Sequence, residues 1–223
     1  MKNTAMKGFL VLVLAAIVTG GVFAQTPGFS LGARAIAIKP SYKLSTDSMS
    51  YFGGFPVDLE SNFGFGFAAQ ASYNTSELFG IQAEIVYNAD KIPVKYAGTE
   101  VLTIKASSLL IPVLVRLGTT LGNGVQLTGL GGIYFTVPLG DGELVPSAAL
   151  SGYATTEKGK WKGSMGAMFG GVIGYKVGSG TLFGDIRYAL DFSDIEFEEM
   201  GTNYTILKKS AIHIGVGYSI AIQ

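Results

Sequence analysis

From Phe63 to Asn74 the chain alternates with a period of two: Phe63, Phe65, Phe67, Ala69, Ala71 and Tyr73 fall on one face of an extended strand, and Gly64, Gly66, Ala68, Gln70, Ser72 and Asn74 on the other. This feature constrains the fold most, because side chains alternate across a strand whereas a helix would scatter both sets around its axis. One face is apolar and rich in aromatics; the opposite face is small or polar.

The pattern recurs along the chain. Ile81, Ala83, Ile85 and Tyr87 oppose Gln82, Glu84, Val86 and Asn88, and Leu109, Ile111, Val113, Val115 and Leu117 oppose Ser108, Leu110, Pro112, Leu114 and Arg116. Val125, Leu127, Ile133, Phe135 and Val137 are set against Gln126, Thr128, Leu130, Tyr134 and Thr136. Leu182, Ile186, Tyr188 and Leu190 oppose Thr181, Phe183, Asp185 and Arg187, and the last segment sets Ile212, Ile214, Val216, Tyr218, Ile220 and Ile222 against Ala211, His213, Gly215, Gly217, Ser219 and Ala221. Phe29 to Ile38 and Met165 to Lys176 alternate less cleanly and complete the set. Segments of about 9 to 14 residues suit a tilted membrane strand, which needs roughly 9 to 11. Ordinary globular strands are nearer ~5–6 residues.

Connections alternate between short and long. Asn74 to Gly80, Thr119 to Gly124 and Gly178 to Gly180 are tight, whereas Pro40 to Asn62, Ala89 to Ala106, Leu139 to Gly163 and Asp191 to Lys209 are long and polar. Short periplasmic turns and long extracellular loops are the arrangement of outer-membrane barrels. With both termini on the short-turn side the strand number is even, so the expected fold is all-β: an eight-stranded antiparallel up-and-down transmembrane β-barrel.

Composition decides which face meets lipid. The chain holds 32 glycines, 14 Phe and 11 Tyr, and only 14% of its residues are charged. A soluble barrel or sandwich would need its polar face to meet water, but here that set is too rich in glycine and too poor in charge. It suits a narrow lumen, where large side chains would clash. Tyr73, Tyr87, Phe135, Tyr175 and Tyr188, near strand ends, are expected to form interfacial girdles. Pro112 lacks a ladder donor, so a local bulge is expected there.

The N-terminus reads as an export signal. Lys2 and Lys7 precede the apolar run Gly8 to Val18, which ends at the small-residue site Val22-Phe23-Ala24. Residues 1–24 are therefore expected to be removed, leaving 25–223 as one barrel domain. No cysteine follows the apolar run, which excludes a lipoprotein, and the chain has none elsewhere. Without the two signal lysines, 14 basic residues face 16 acidic ones, and no basic patch or stripe marks a nucleic-acid partner.

Ser108-Leu109-Leu110-Ile111-Pro112-Val113-Leu114-Val115-Arg116 resembles the Y-L-E-I-P-L-L-x-K stretch of the PorT-like outer-membrane β-barrel family. Met165 to Tyr175 is similar to that family's glycine-rich sixth strand, and Leu182 to Ile195, with Asp185-Ile186-Arg187-Tyr188-Ala189-Leu190, resembles its L-x-x-R-Y-x-x-G-L-x-x-I seventh strand. Leu110 stands where an acid is usual, Asp191-Phe192 replaces a glycine-leucine pair, and the sequence ends Ile222-Gln223 rather than in an aromatic. The resemblance implies a barrel of this class in a two-membrane, Gram-negative envelope, with functions that vary across the family.

The face opposite the lipid collects Arg34, Glu84, Arg116, Lys176, Asp185, Arg187 and His213. Unpaired charge in a confined interior is costly, so mutual pairing is expected, with Glu84 and Asp185 bridging Arg116 and Arg187 to plug the lumen. A selective ion path is the alternative. His213 is the sole histidine; it reads as a lumen residue that hydrogen-bonds rather than as a catalyst, and a lipid A-modifying enzyme is the third reading. Gly64-x-Gly66-x-x-Ala69 lies inside a period-two strand, the wrong context for a dinucleotide site. Asn74-Thr75-Ser76 and Asn203-Tyr204-Thr205 match glycosylation sequons but read as turn and loop residues.

Recognition is expected in the long loops. Ser41 to Asn62 carries Tyr51, Phe52 and Phe55, and Glu143 to Lys162 carries Tyr153 and Trp161, the sole tryptophan. The expected role is structural or surface-interacting and adhesin-like, with a small pore or conduit for small or hydrophobic molecules as the runner-up. Expected partners are outer-membrane lipid and lipopolysaccharide, the outer-membrane assembly machinery and a host or surface ligand of the loops. The barrel is expected to be a non-enzymatic monomer with no cofactor, no metal and no nucleic acid.

Overall fold

The computed structural model describes residues 28–44, 57–76, 78–121, 124–148, 155–192, 195–199 and 202–222, and for 44, 195–199 and 202–208 the backbone alone. The signal segment lies outside these residues. Twelve strands run through them: β1 (Gly28–Leu44), β2 (Val57–Leu59), β3 (Gly64–Asn74), β4 (Phe79–Tyr96), β5 (Thr99–Thr120), β6 (Val125–Pro138), β7 (Gly142–Pro146), β8 (Glu157–Trp161), β9 (Ser164–Val177), β10 (Gly180–Asp191), β11 (Ile195–Glu199) and β12 (Thr202–Ile222).

Eight of them close a ring in the order β1-β3-β4-β5-β6-β9-β10-β12, with neighbours antiparallel. Closure joins β1 to β12, with Phe29 opposite Ile222, so among the described residues no free edge remains at membrane depth, where an unpaired backbone group would have no water to bond. The eight predicted segments are the eight strands of this ring.

Side-chain direction follows the predicted sense. Phe65 is 71% exposed, Ile85 56%, Val113 50% and Ile214 51%, although all are large and apolar. In water such an exterior would be an aggregation surface; in hydrocarbon it is the stable one. Exposed Phe29, Tyr73, Phe79, Tyr175 and Tyr218 gather at the end with the short turns, and Phe63, Tyr87 and Phe135 towards the other. Tyr188 is only half-buried, its ring 5.5 Å from that of Phe169.

Two expectations are corrected. Pro112 makes no bulge: it pairs with Tyr134 of β6 in unbroken register, and on the β4 side the pairing is merely interrupted between Ala83↔Val113 and Val86↔Leu110. A missing donor is tolerated where the neighbouring ladder bonds hold the register. The long connections are also not simple loops. β4 and β5 continue outward to a two-residue turn at Ala97 and Gly98, both with positive φ (48° and 80°), the backbone a tight hairpin requires. Beyond the membrane β2 pairs with β4, and β7, β8 and β11 bridge β5 to β12. The sheet thus carries on past the apolar band as a second, extracellular storey.

Across that boundary the alternation changes sign. On β4 the outward positions read Ile81, Ala83, Ile85 and Tyr87 and then exposed Lys91 and half-buried Lys95 with Pro93 buried between them, while the inward ones pass from Gln82, Glu84, Val86 and Asn88 to Ile92 and Val94. Water outside demands the reverse of lipid outside. Buried Ile92, Val94 and Ile104, with Tyr42, Val57, Leu59, Val101, Leu102 and Trp161 against them, form the storey's own apolar core.

Candidate functional site in the barrel lumen

Four charged side chains meet in the lumen. Strand pleat points Arg34 of β1, Glu84 of β4, and Asp185 and Arg187 of β10 inward. Arg34 Nη2 lies 2.9 Å from Glu84 Oε2 and its Nη1 2.6 Å from Asp185 Oδ1; Arg187 Nη1 lies 2.7 Å from Glu84 Oε1 and its Nε 2.9 Å from Asp185 Oδ1. Cation and anion alternate around this ring, and none of the four side chains has exposed surface. Each charge therefore has two opposite neighbours in a desolvated site, the condition under which a buried pair is tolerated.

Glycine makes room for the ring. A Cβ at Gly215 would sit 2.7 Å from Asp185 Oδ2 and 3.1 Å from Arg34 Nη1, and one at Gly170 would sit 2.7 Å from the Cα of Arg187. The small-residue face thus serves as packing space for long ionic side chains.

The expected pairing is corrected at one corner: Arg34, not Arg116, completes the ring. Arg116 stands opposite Gly80, four residues along the strand from the level of Glu84. It donates instead to Ser72 Oγ (2.9 Å) and Gln82 Oε1 (2.8 Å), and Gln82 Nε2 donates to Glu84 Oε1. Lys176 has the inward parity but is exposed opposite Thr181, four pairs from the Asp185 level towards the short turns, and stays outside the ring. His213 is buried beside Arg187, its register partner. Ser210, three residues away, leaves the strand on the opposite face.

Above the ring lies an apolar layer of Ile36, Ile38, Val86, Leu110, Leu114 and Met168. The period-two reading of the sequence sets Val86, Leu110 and Leu114 on this face. A second polar cluster at the extracellular mouth was missed altogether: Asp90 accepts from Lys209 and from Asn88 Nδ2 (2.9 Å), and Asp191 accepts from the Tyr134 hydroxyl. These positions share the inward parity of the ring, but the long connections were read as irregular, which hid Asp90 and Lys209. They line a cavity of about 60 Å³ together with Tyr42, Ser164 and Trp161. On the other side of the ring a cavity of about 30 Å³ is lined by Gln70, Gln82, Arg116, Gln126 and Thr128. The two cavities have no lining residue in common.

Trp161 is half-buried on β8, with its indole over Gly142, where no Cβ would fit. Tyr51, Phe52, Phe55 and Tyr153 lie outside the described residues. Among the described residues no group of three His, Asp or Glu is placed to hold a metal.

Residues 23–196 match a family described as outer membrane protein beta-barrel domain. No curated protein matches the chain. Among solved structures it is similar to the outer membrane protein OprG from Pseudomonas aeruginosa, with 12% identity and a TM-score of 0.58 over 91% of this chain and 100% of that one. Neisserial surface protein A is similar at 13% identity and TM-score 0.53, covering 87% of this chain and 97% of its own, and a major outer membrane protein from Thermus thermophilus at 13% and 0.52, covering 86% and 100%. At such identities the likeness is one of fold.

Proposed function

This chain belongs to the outer membrane protein β-barrel domain family and resides in the outer membrane; on that premise we propose that it is a closed, non-enzymatic barrel whose role is structural or surface-interacting and adhesin-like, exercised through its extracellular storey. The observation that carries this reading is the ring of Arg34, Glu84, Asp185 and Arg187, buried across the lumen between two cavities that do not share a wall. A blocked interior leaves the outer face as the working surface. That face is built from hydrogen-bonded strands over an apolar core, so it presents side chains from a rigid support.

The reading includes export with residues 1–24 as the signal, insertion by the outer-membrane assembly machinery as a monomer, and placement among PorT-like barrels. Display on a non-adherent Gram-negative host tests it. Attachment to host-cell or matrix surfaces should rise above that of cells carrying an unrelated eight-stranded barrel, and equal attachment would count against the surface role.

A second reading, a conduit for small molecules, is favoured by the cavity of about 60 Å³ at the mouth. Faster entry of small apolar solutes into proteoliposomes than into empty liposomes would favour it over the first.

A further inference from the structure

Lys91 of β4 and Lys105 of β5 are direct cross-strand partners, and both are exposed on the outward face. Cβ atoms of directly opposed residues lie about 5 Å apart, and like charges so placed repel. Among the described residues neither lysine makes an ion pair. The row continues from Lys105 to Glu143 of β7 and Lys158 of β8, and this single acid lies 3.6 Å from Lys158. At the same end Lys95 lies 2.9 Å from Glu60 and Lys209 meets Asp90, whereas Lys43 faces Lys208 further out from the apolar band. Two unmatched cations held side by side are the signature of an absent anion.

Their height says which anion. An apolar band about 25 Å tall, crossed by strands tilted about 40°, takes roughly ten residues of each strand. Counted from Phe79 at the short-turn end of β4, the band ends at Ala89, whose partner on β5 is Ser107. Lys91 and Lys105 are the next outward pair, about 5 Å further along the membrane normal. That is the headgroup layer, which extends ~5–7 Å beyond the hydrocarbon on each side. The change of sign in the alternation marks the same boundary independently.

We propose that Lys91 and Lys105 together bind a phosphate on the glycolipid headgroup of the outer leaflet, the phosphorylated sugar of lipopolysaccharide. A phosphate monoester offers close to two negative charges and three acceptor oxygens, enough to receive a charge-assisted hydrogen bond from each ammonium and to convert their repulsion into a bridge across the β4–β5 ladder. The proposal rests on the outer-membrane placement and not on whether the lumen conducts.

The test titrates lipids into the folded, detergent-solubilised full chain and reads binding by native mass spectrometry. Bisphosphorylated lipid A should bind wild type about tenfold more tightly than the Lys91→Gln/Lys105→Gln variant. Lys91→Arg/Lys105→Arg should keep the affinity, and Lys95→Gln should leave it unchanged. Lipid A stripped of phosphate should bind wild type as weakly as the intact lipid binds the double glutamine variant, a comparison that needs no mutant to fold. Equal affinity of wild type for the stripped lipid, an unaltered affinity in the folded glutamine variant, or equally tight binding of phosphatidylglycerol would each overturn the proposal.

Discussion

Arg187 Nη1 lies 2.7 Å from Glu84 Oε1 across 103 positions of sequence, with neither side chain exposed. Only closure of the barrel brings β10 and β4 to facing walls, so this contact is a property of the tertiary fold. Glu84→Ala leaves Arg34 and Arg187 sharing Asp185 as their one remaining acid. It is expected to cost about 3–5 kcal/mol of stability, whereas replacing the charged set with apolar side chains of similar volume should cost much less. Urea unfolding in lipid vesicles, followed by heat-modifiable gel migration, measures both.

Gly215 and Gly131 separate packing from backbone effects. Gly215→Val places atoms where Asp185 Oδ2 and Arg34 Nη1 stand, and should destabilise the barrel by about 1–3 kcal/mol. At Gly131 a Cβ would meet nothing within 4 Å, so Gly131→Ala should be neutral or stabilising by roughly 0.5 kcal/mol. The same unfolding assay distinguishes the two, and equal effects would contradict the placement of the ring.

Val216, in the middle of the lipid-facing set Ile212 to Ile222 and more than half exposed, is assigned to hydrocarbon. Val216→Arg should therefore cost about 2–4 kcal/mol, as charges at the bilayer midplane of a barrel do. On a water-facing strand the same change would be nearly harmless. Reversible folding into vesicles gives the answer directly.

The eight spanning strands were legible because lipid makes the outward set apolar without exception over a strand's length, as at Phe63 to Tyr73 or Ile212 to Ile222. Extracellular β-structure was not, because past Asn88 and before Ser108 the apolar set moves inward: Ile92, Val94 and Ile104 take positions whose parity belongs to Gln82 and Arg116 lower down. A search for one sense of alternation ends each strand at the membrane surface. The ring's members were legible from parity alone, but its connectivity was not. Whether Arg34 or Arg116 reaches Glu84 depends on relative height, which depends on register, and register is set by pairing between strands far apart in sequence.

Trp161 offers a spectroscopic check on the extracellular storey. Its indole covers Gly142 and packs on the Ile92, Val94 and Ile104 core, beyond the apolar band. As the sole tryptophan it should show blue-shifted emission, partial protection from iodide, and no quenching by brominated acyl chains in vesicles. Strong quenching by brominated lipid would place β8 inside the membrane and contradict the two-storey arrangement.

The central claim is that the lumen is closed by a neutral ring of ions. Planar-bilayer recording of the purified, folded protein tests it most directly. Wild type should give no steady single-channel steps, and Glu84→Ala, which unties the ring, should introduce or increase transient openings. A large, stable conductance from the wild-type chain would contradict the account.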